Sequence, residues 1–569
     1  MFFIFLSFFL SSIYFLLIGS LSSKALFNIN INEKKNYYEF ALIGIIIASI
    51  IAFILNFFVS LNRYVNDLLF IIPFLIFLLN NKLKIDLNFK KVLKISLIVA
   101  VISTILISYD NVYRPDAGSY HLPFISILND NKIILGLSNL HFRFGHISII
   151  QYLSASFNNH LFLDNGILIP GGLIFSFIIF YFYKIIYYEK NNLINLITII
   201  FLIFIVFRMN RYSSFGNDAP AHFYFMYLII LTLKYKNYIG DYNNFFNKIC
   251  LIGVFIFFNK ITMLLALVIP IYFIFNKNFL KIYKNKIFLL IILIFLSWLG
   301  KNIITSGCAA FPLEQTCFKS LQWFDNSDTR RSNAVSGRIE NEAWTKGYPN
   351  QTEKNFEEYI SSFEWFDIWK EYHGKKIIKK LTPFLIFLLI VIIFLFFNEK
   401  RQKFKFLEKE DKILWFLIFL NLFGSLLWFF KFPVFRYGYG YLIGFFGILV
   451  TMFLSSLYKV NTINLKKKLN IILIICFFGL LSKYSVRMYQ NYELAKSPWP
   501  VIYSDNSKII KNKMTPHYQN GKLILYTPEL SMCYYSDLSP CTNMANNEFN
   551  ISDIKMDFIM GYKKYYFVK

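Results

Sequence analysis

Between Asp110 and His146 the sequence concentrates side chains that can handle protons and phosphates. Tyr113-Arg-Pro-Asp-Ala-Gly-Ser-Tyr-His-Leu-Pro123 supplies Arg114, Asp116, Tyr120 and His121, and His141-Phe-Arg-Phe-Gly-His146 supplies His141, Arg143 and His146. Asp116 follows a proline and shortly precedes Gly118, so the backbone turns there. A carboxylate so placed can take a proton from a hydroxyl as a general base. It can equally cap a helix starting near Tyr120, and spacing does not separate the two. Arg143 suits a phosphate or an acidic partner through its planar fork. His141 and His146 share no helix face well; they read as substrate-bonding or structural residues more than as a metal pair. Further along, Arg208, Arg211 and Asp218 fall in a second polar stretch, where Asp218 either joins Asp116 in one cavity or is ordinary loop polarity. Lys260 and Arg436 sit at the mouths of apolar runs. Each is either a ligand for a departing phosphate or a cation snorkelling toward water.

The rest of the chain must position these groups, and its composition says how. Of 569 residues, 56% are hydrophobic, 20% aromatic and only 16% charged, with a mean hydropathy of +0.48. That profile excludes an ordinary soluble domain and predicts an all-α membrane protein. Apolar runs lie near residues 2–20, 39–60, 67–80, 95–109, 166–187, 193–207, 220–234, 249–258, 262–276, 287–303, 382–398, 412–430, 437–457 and 469–482. The expectation is a polytopic bundle of about fourteen transmembrane helices over 1–482. The first run has no basic leader and reads as a retained span. The net charge of +26 is spread between the runs and not gathered on one face, which argues against nucleic acid.

Lysines mark alternate loops: Lys24, Lys34 and Lys35; Lys82 to Lys94; Lys277 to Lys286; Lys400 to Lys412; Lys459 to Lys468. Positive-inside counting puts these in the cytoplasm. The loop 110–165, the segment 304–380, both termini and the tail 483–569 are then extracytoplasmic. Cys308 with Cys317 and Cys533 with Cys541 fall in those segments, where disulfides persist, whereas Cys250 and Cys476 lie in apolar runs. Phe363, Trp365, Phe366 and Trp369 predict an interfacial helix. In the tail, Asn520-Gly521 followed by Lys522-Leu-Ile-Leu-Tyr526 predicts a hairpin in a small α/β domain.

Pro-Asp-Ala-Gly-Ser-Tyr-His-Leu-Pro just after a span resembles the first outer loop of GT-C-type membrane glycosyltransferases, among them protein mannosyltransferases and the aminoarabinose transferases of lipid A. Ser306-Gly-Cys-Ala-Ala-Phe-Pro312 and Phe432-Pro-Val-Phe-Arg-Tyr437 resemble two of their later loops. The Asp-x-x-x-Tyr-His-Leu-Pro and His-Phe-Arg-Phe-Gly-His pieces also resemble those of a family of bacterial membrane proteins. The acidic loop follows the fourth run here and the first span in those enzymes, and there is no Asp-x-Asp pair.

The resemblance implies transfer of a sugar from a polyprenyl-phosphate donor to an envelope glycan or lipid acceptor, at the extracytoplasmic face of the bacterial cytoplasmic membrane. Asp116 would be catalytic; Tyr120, His121, His141, Arg143, Asp218, Lys260 and Arg436 would bind substrate. No cofactor and no metal is expected; membrane lipid is. A transporter or flippase of lipid-linked saccharides, a polymerase-type protein and a non-catalytic assembly protein are the rival readings. A transporter favours ionisable groups at mid-bilayer and repeated halves, and the sequence shows neither.

Overall fold

A computed structural model describes residues 1–27, 37–79, 88–110, 112–113, 115–208, 216–235, 242–275, 285–325, 333–348, 355–401, 412–459, 461–493, 498–500, 502–503, 513–529, 532–535, 538–543 and 551–567. Arg114, Arg211 and many of the marker lysines, Lys34, Lys82 and Lys277 among them, lie outside these residues. In chain order the helices are α1 (Phe2–Phe27), α2 (Tyr37–Leu55), α3 (Arg63–Leu78), α4 (Phe89–Ile107), α5 (Leu122–Asp130), α6 (Ile149–Ser156), α7 (Ile169–Tyr188), α8 (Asn192–Arg208), α9 (Asp218–Lys234) and α10 (Tyr242–Asn259). There follow α11 (Val268–Phe275), α12 (Lys286–Ser306), α13 (Asn333–Thr345), α14 (Phe356–Ser361), α15 (Trp365–Trp369), α16 (Lys375–Phe396), α17 (Lys412–Lys431), α18 (Phe435–Leu457) and α19 (Thr462–Tyr492).

All fourteen apolar runs are helical. Among the described residues eight helices are long and apolar enough to cross a membrane: Phe2–Phe27, Tyr37–Leu55, Leu163–Tyr188, Lys286–Ser306, Trp365–Phe396, Lys412–Lys431, Phe435–Leu457 and Thr462–Tyr492. The other six runs form helices that fall short of that length or apolarity, so a count of fourteen spans exceeds what the helices establish. Regular helix is what such sequences must form away from water, because every backbone polar group is then satisfied within the segment.

Helices α7 to α10 are buried on nearly all sides, whereas α12, α16, α17 and α19 expose leucine, isoleucine and phenylalanine along their outer faces. Two glycines set the closest helix crossing. A Cβ added at Gly19 would lie 1.7 Å from the Phe40 carbonyl oxygen, and one at Gly44 would lie 2.1 Å from that of Phe15. Backbones of α1 and α2 therefore touch, as small residues allow. Several polar groups inside the bundle pair with one another: Glu39 with Lys248 at 2.7 Å and with Tyr227, and Ser103 with Ser176. Lys301 is fully buried on the Phe53 carbonyl and Asn56, with the Phe53, Phe57 and Tyr152 rings around it.

The stretch 110–165, expected as an outer loop, is largely folded into the bundle. Its apolar residues make α5 and α6, and α6 is buried at every position. The Trp365, Phe366 and Trp369 rings gather on Phe429 of α17, with Trp365 buried and Phe363 against Trp365 and Phe366, and Trp365 opens the long helix that runs to Phe396. The tail contains two antiparallel hairpins, Met514–Gln519 with Lys522–Pro528 and Ile554–Ile559 with Tyr562–Phe567. Asn520 and Gly521 both take positive φ, as a two-residue hairpin turn requires. No α-helix follows Tyr492 among the described residues, so the tail is β rather than α/β. Disulfides join Cys308 to Cys317 and Cys533 to Cys541.

Candidate functional site

Helix direction decides which groups meet. The last turns of α4, α10 and α12 and the first turns of α9 and α18 converge at one end of the bundle. The lysines of α4's first turn, of Lys400–Arg401 and of α19's first turns lie at the other. At the converging end is a cavity of about 760 Å³, lined by Asp116, Tyr120, His121, Arg143, His146, Asp218, Lys260 and Arg436, with residues of α13 and α16 over it.

Val112–Tyr113 pairs in parallel with Ile502–Tyr503, after which the chain enters a helical turn at Pro115 and Asp116. Ala117–His121 is then a π-helical turn that runs into α5, a wide geometry often found where side chains must be re-aimed. The capping reading of Asp116 fails here. Its φ and ψ are helical, its carboxylate caps no amide, and it accepts instead from Arg436 Nη1 at 2.6 Å. Burial pushes the Asp116 carboxyl up; Arg436, with His121 and Arg143, more than offsets this and holds it below its ordinary value.

Arg436, in the first turn of α18, stands between two carboxylates. Its Nε is 3.7 Å from Asp218 Oδ2 and has no hydrogen-bond partner, and Nη2 donates to the Tyr437 hydroxyl at 3.3 Å. Asp218, in the first turn of α9, is ion-paired with Lys260, whose ammonium also lies 3.8 Å from the centre of the Tyr437 ring. Lys260 is 8% exposed, so it does not snorkel. Two carboxylates and two cations thus form one connected, near-neutral cluster.

Burial keeps the nearby histidines neutral. His121 is pushed down to about 4 against the pull of Asp116 and Asp218, and its Nδ1 lies 2.9 Å from Gln151 Nε2. His146, held on Phe311, is pushed down to about 3. His141 does not line the cavity. It is buried, its Nδ1 accepts the Arg143 amide at 3.0 Å, and burial with Arg143 pushes it down to about 3, so its part is to shape the Arg143 turn. Arg143 stacks its guanidinium over Tyr120 and Phe142 at 5.4 and 4.7 Å. The cavity is thus built around Asp116, Tyr120, His121, Arg143, Asp218, Lys260 and Arg436, with His141 behind them.

Sequence reasoning missed other members. His222 donates from Nε2 to the Arg436 carbonyl at 3.1 Å, and a Cβ at Gly440 would lie 2.4 Å from its other ring nitrogen, so only glycine admits it. Thr262, Trp298, Asn341, His373 and Tyr439 line the cavity itself, and each has a buried polar atom without a partner among the described residues. Such atoms are uncommon in folded proteins, and here all five residues line one cavity. Asp110 is set apart: it faces Arg487 at 3.9 Å, while Arg487 donates to the carbonyls of Ile105, Leu106 and Ser108 and closes the end of α4.

Fold and site define a bundle of apolar helices with a charged, half-open cavity at one end. Residues 1–443 match the model of a family described as a domain of unknown function, DUF8201, and the chain belongs to that family. The matched stretch contains Asp116, Asp218, Lys260 and Arg436. No curated protein and no solved structure matches the chain.

Proposed function

We propose that the protein is a GT-C-like integral membrane glycosyltransferase that moves a sugar from a polyprenyl-phosphate donor to an envelope glycan or lipid acceptor. The observation that carries this reading is the pairing of Asp116 with Arg436 beside Lys260 and Asp218, in a cavity at the ends of apolar helices. The first turns of α9 and α18 also turn their positive ends toward it.

In this mechanism the donor phosphate takes donors from Arg436 and Lys260, including the unpartnered Arg436 Nε. Asp116 then loses its cation and regains basicity. The acceptor hydroxyl attacks the anomeric carbon, its proton passes to Asp116, and the bond from sugar to phosphate oxygen breaks. The electron pair leaves on the polyprenyl phosphate, where the two cations stabilise it.

In the same reading the chain is multi-pass in the bacterial cytoplasmic membrane. The other six apolar helices cross with those eight, and both termini and the cavity are extracytoplasmic. The loop lysines and the two disulfides support that side.

Asp116→Asn tests the proposal. It keeps size and hydrogen bonding but removes the proton acceptor, so turnover of a polyprenyl-phosphate sugar falls by roughly 10²–10⁴-fold at unchanged protein level. Full turnover by this variant ends the general-base role.

A further inference from the structure

The Asp116 cluster uses one wall of the cavity. The wall that adjoins it, where the Arg436 guanidinium lies 5.6 Å from the centre of the Trp344 ring, has a different composition. Arg338, Asn341 and Trp344 recur at three-residue spacing on one face of α13, and all three line the cavity. His373 and Lys376, at the start of the long apolar helix that continues as α16, line it beside them, with the Trp344 and His373 ring centres 6.3 Å apart. A Cβ at Gly337 would lie 2.6 Å from the Phe142 ring, so α13 packs down on the turn that carries Arg143 and brings Arg338 to Arg143's side of the cavity.

The chemistry of this wall is unlike that of the first. Lys260 and Arg436 pair with carboxylates, whereas among the described residues Arg338 and Lys376 make no ion pair, and Arg143, between the two walls, acts on Asp116 without pairing with it. Glu340 on α13 feels Arg143 without pairing with it. Asn341 is 8% exposed, yet its side-chain oxygen has no partner, and neither has His373 Nε2. Trp344, by contrast, is 42% exposed within a polar enclosure. A part-exposed indole with the Arg436 guanidinium 5.6 Å from its ring centre, an unpaired amide oxygen and cations outside any ion pair suit a pyranose ring that bears hydroxyls and an anionic substituent. The ring covers the indole, a hydroxyl donates to Asn341, and the anion meets the guanidinium and ammonium groups.

We infer that this wall is the acceptor subsite, and that the acceptor is an acidic saccharide whose carboxylate or phosphate is bound by Arg338, Lys376 and Arg143 and is not the reacting group. The inference rests on the glycosyltransferase reading for the word acceptor. The binding of an acidic sugar stands apart from it.

The test uses the full chain in phosphatidylcholine nanodiscs, with saturation-transfer NMR on glucuronic acid, glucose 6-phosphate and glucose, and with geranyl phosphate as a donor-side probe. Wild-type protein binds the two acidic sugars roughly tenfold more tightly than glucose, the scale of a charge-assisted hydrogen bond. In the Arg338→Gln/Lys376→Gln variant that preference falls to near unity while geranyl phosphate still binds, which shows that the fold is intact. Three results overturn the inference. One is an unchanged preference in the variant. Another is phosphatidylglycerol retained by wild type and lost by the variant with sugar binding unaffected, which assigns the wall to a lipid headgroup. The last is tighter binding of geranyl diphosphate than of geranyl phosphate in wild type only, which assigns it to a second donor phosphate. If geranyl phosphate fails to bind wild type, the donor reading fails, and the sugar measurements still decide this wall.

Discussion

Replacing Arg436 by glutamine removes the cation that Asp116 faces at 2.6 Å, while Asp218 keeps Lys260. The cost therefore falls chiefly on Asp116. Breaking a fully buried pair costs about 3–5 kcal/mol, because an uncompensated charge is left behind. Asp116 and Arg436 are 38% and 27% exposed, so water screens part of this. The expected loss is about 1–3 kcal/mol. Asp116→Asn in the same protein removes the stranded charge and should return about half of that loss. The assay is thermal unfolding of detergent-purified wild type, both single variants and the double variant, treated as a double-mutant cycle. Arg436→Gln should lower Tm, and adding Asp116→Asn should raise it again. Additivity of the two single changes within about 0.5 kcal/mol would refute a direct pair.

The histidines give a pH dependence. His121, His141 and His146 are held neutral in the folded state down to about 4, 3 and 3, whereas the unfolded chain takes up protons below about 6.5. Their contribution is therefore present above 6.5 and is lost as pH falls from there toward 4, so Tm should drop across that window and drop less steeply in His146→Gln. Accessibility labelling checks orientation: Ser119→Cys should react with an impermeant reagent from outside the cell and Asn88→Cys should not, and the reverse pattern would invert the topology.

Much of this architecture is written in the sequence because water exclusion writes it plainly. Long apolar runs have one option, and each became a helix. The short cysteine pairs closed as their spacing suggested. Asp116 and Arg436 were legible as separate groups, but their pairing was not, since 320 residues separate them and only the crossing of helices brings them together. The region from Leu122 to Ser156 misled for a related reason. Its helices are too short to register as spans, and their apolar residues are interleaved with asparagine and glutamine that find partners inside the bundle. Asn129, for example, donates to the Leu61 and Ala155 carbonyls and accepts from Asn158. The α13 wall gave no signal because a three-residue spacing of Arg338, Asn341 and Trp344 is indistinguishable from any solvated helix face until its surroundings are known.

The tail's grip on the Asp116 segment has a consequence for the order of synthesis. Tyr534 donates its amide to the Gly118 carbonyl at 2.8 Å, Tyr535 bonds Asn158, and Asn139 donates to the Tyr565 carbonyl across 426 residues of sequence. At about 5–20 residues per second, the segment around Asp116 emerges some tens of seconds before the residues that clamp it exist. The helices can enter the membrane in that interval, but the π-helical turn must wait beside a bundle already largely assembled. A chain stopped before Met514 would thus insert its helices and still lack the contact that fixes Gly118, so the turn that carries Asp116 is completed only once the tail is made.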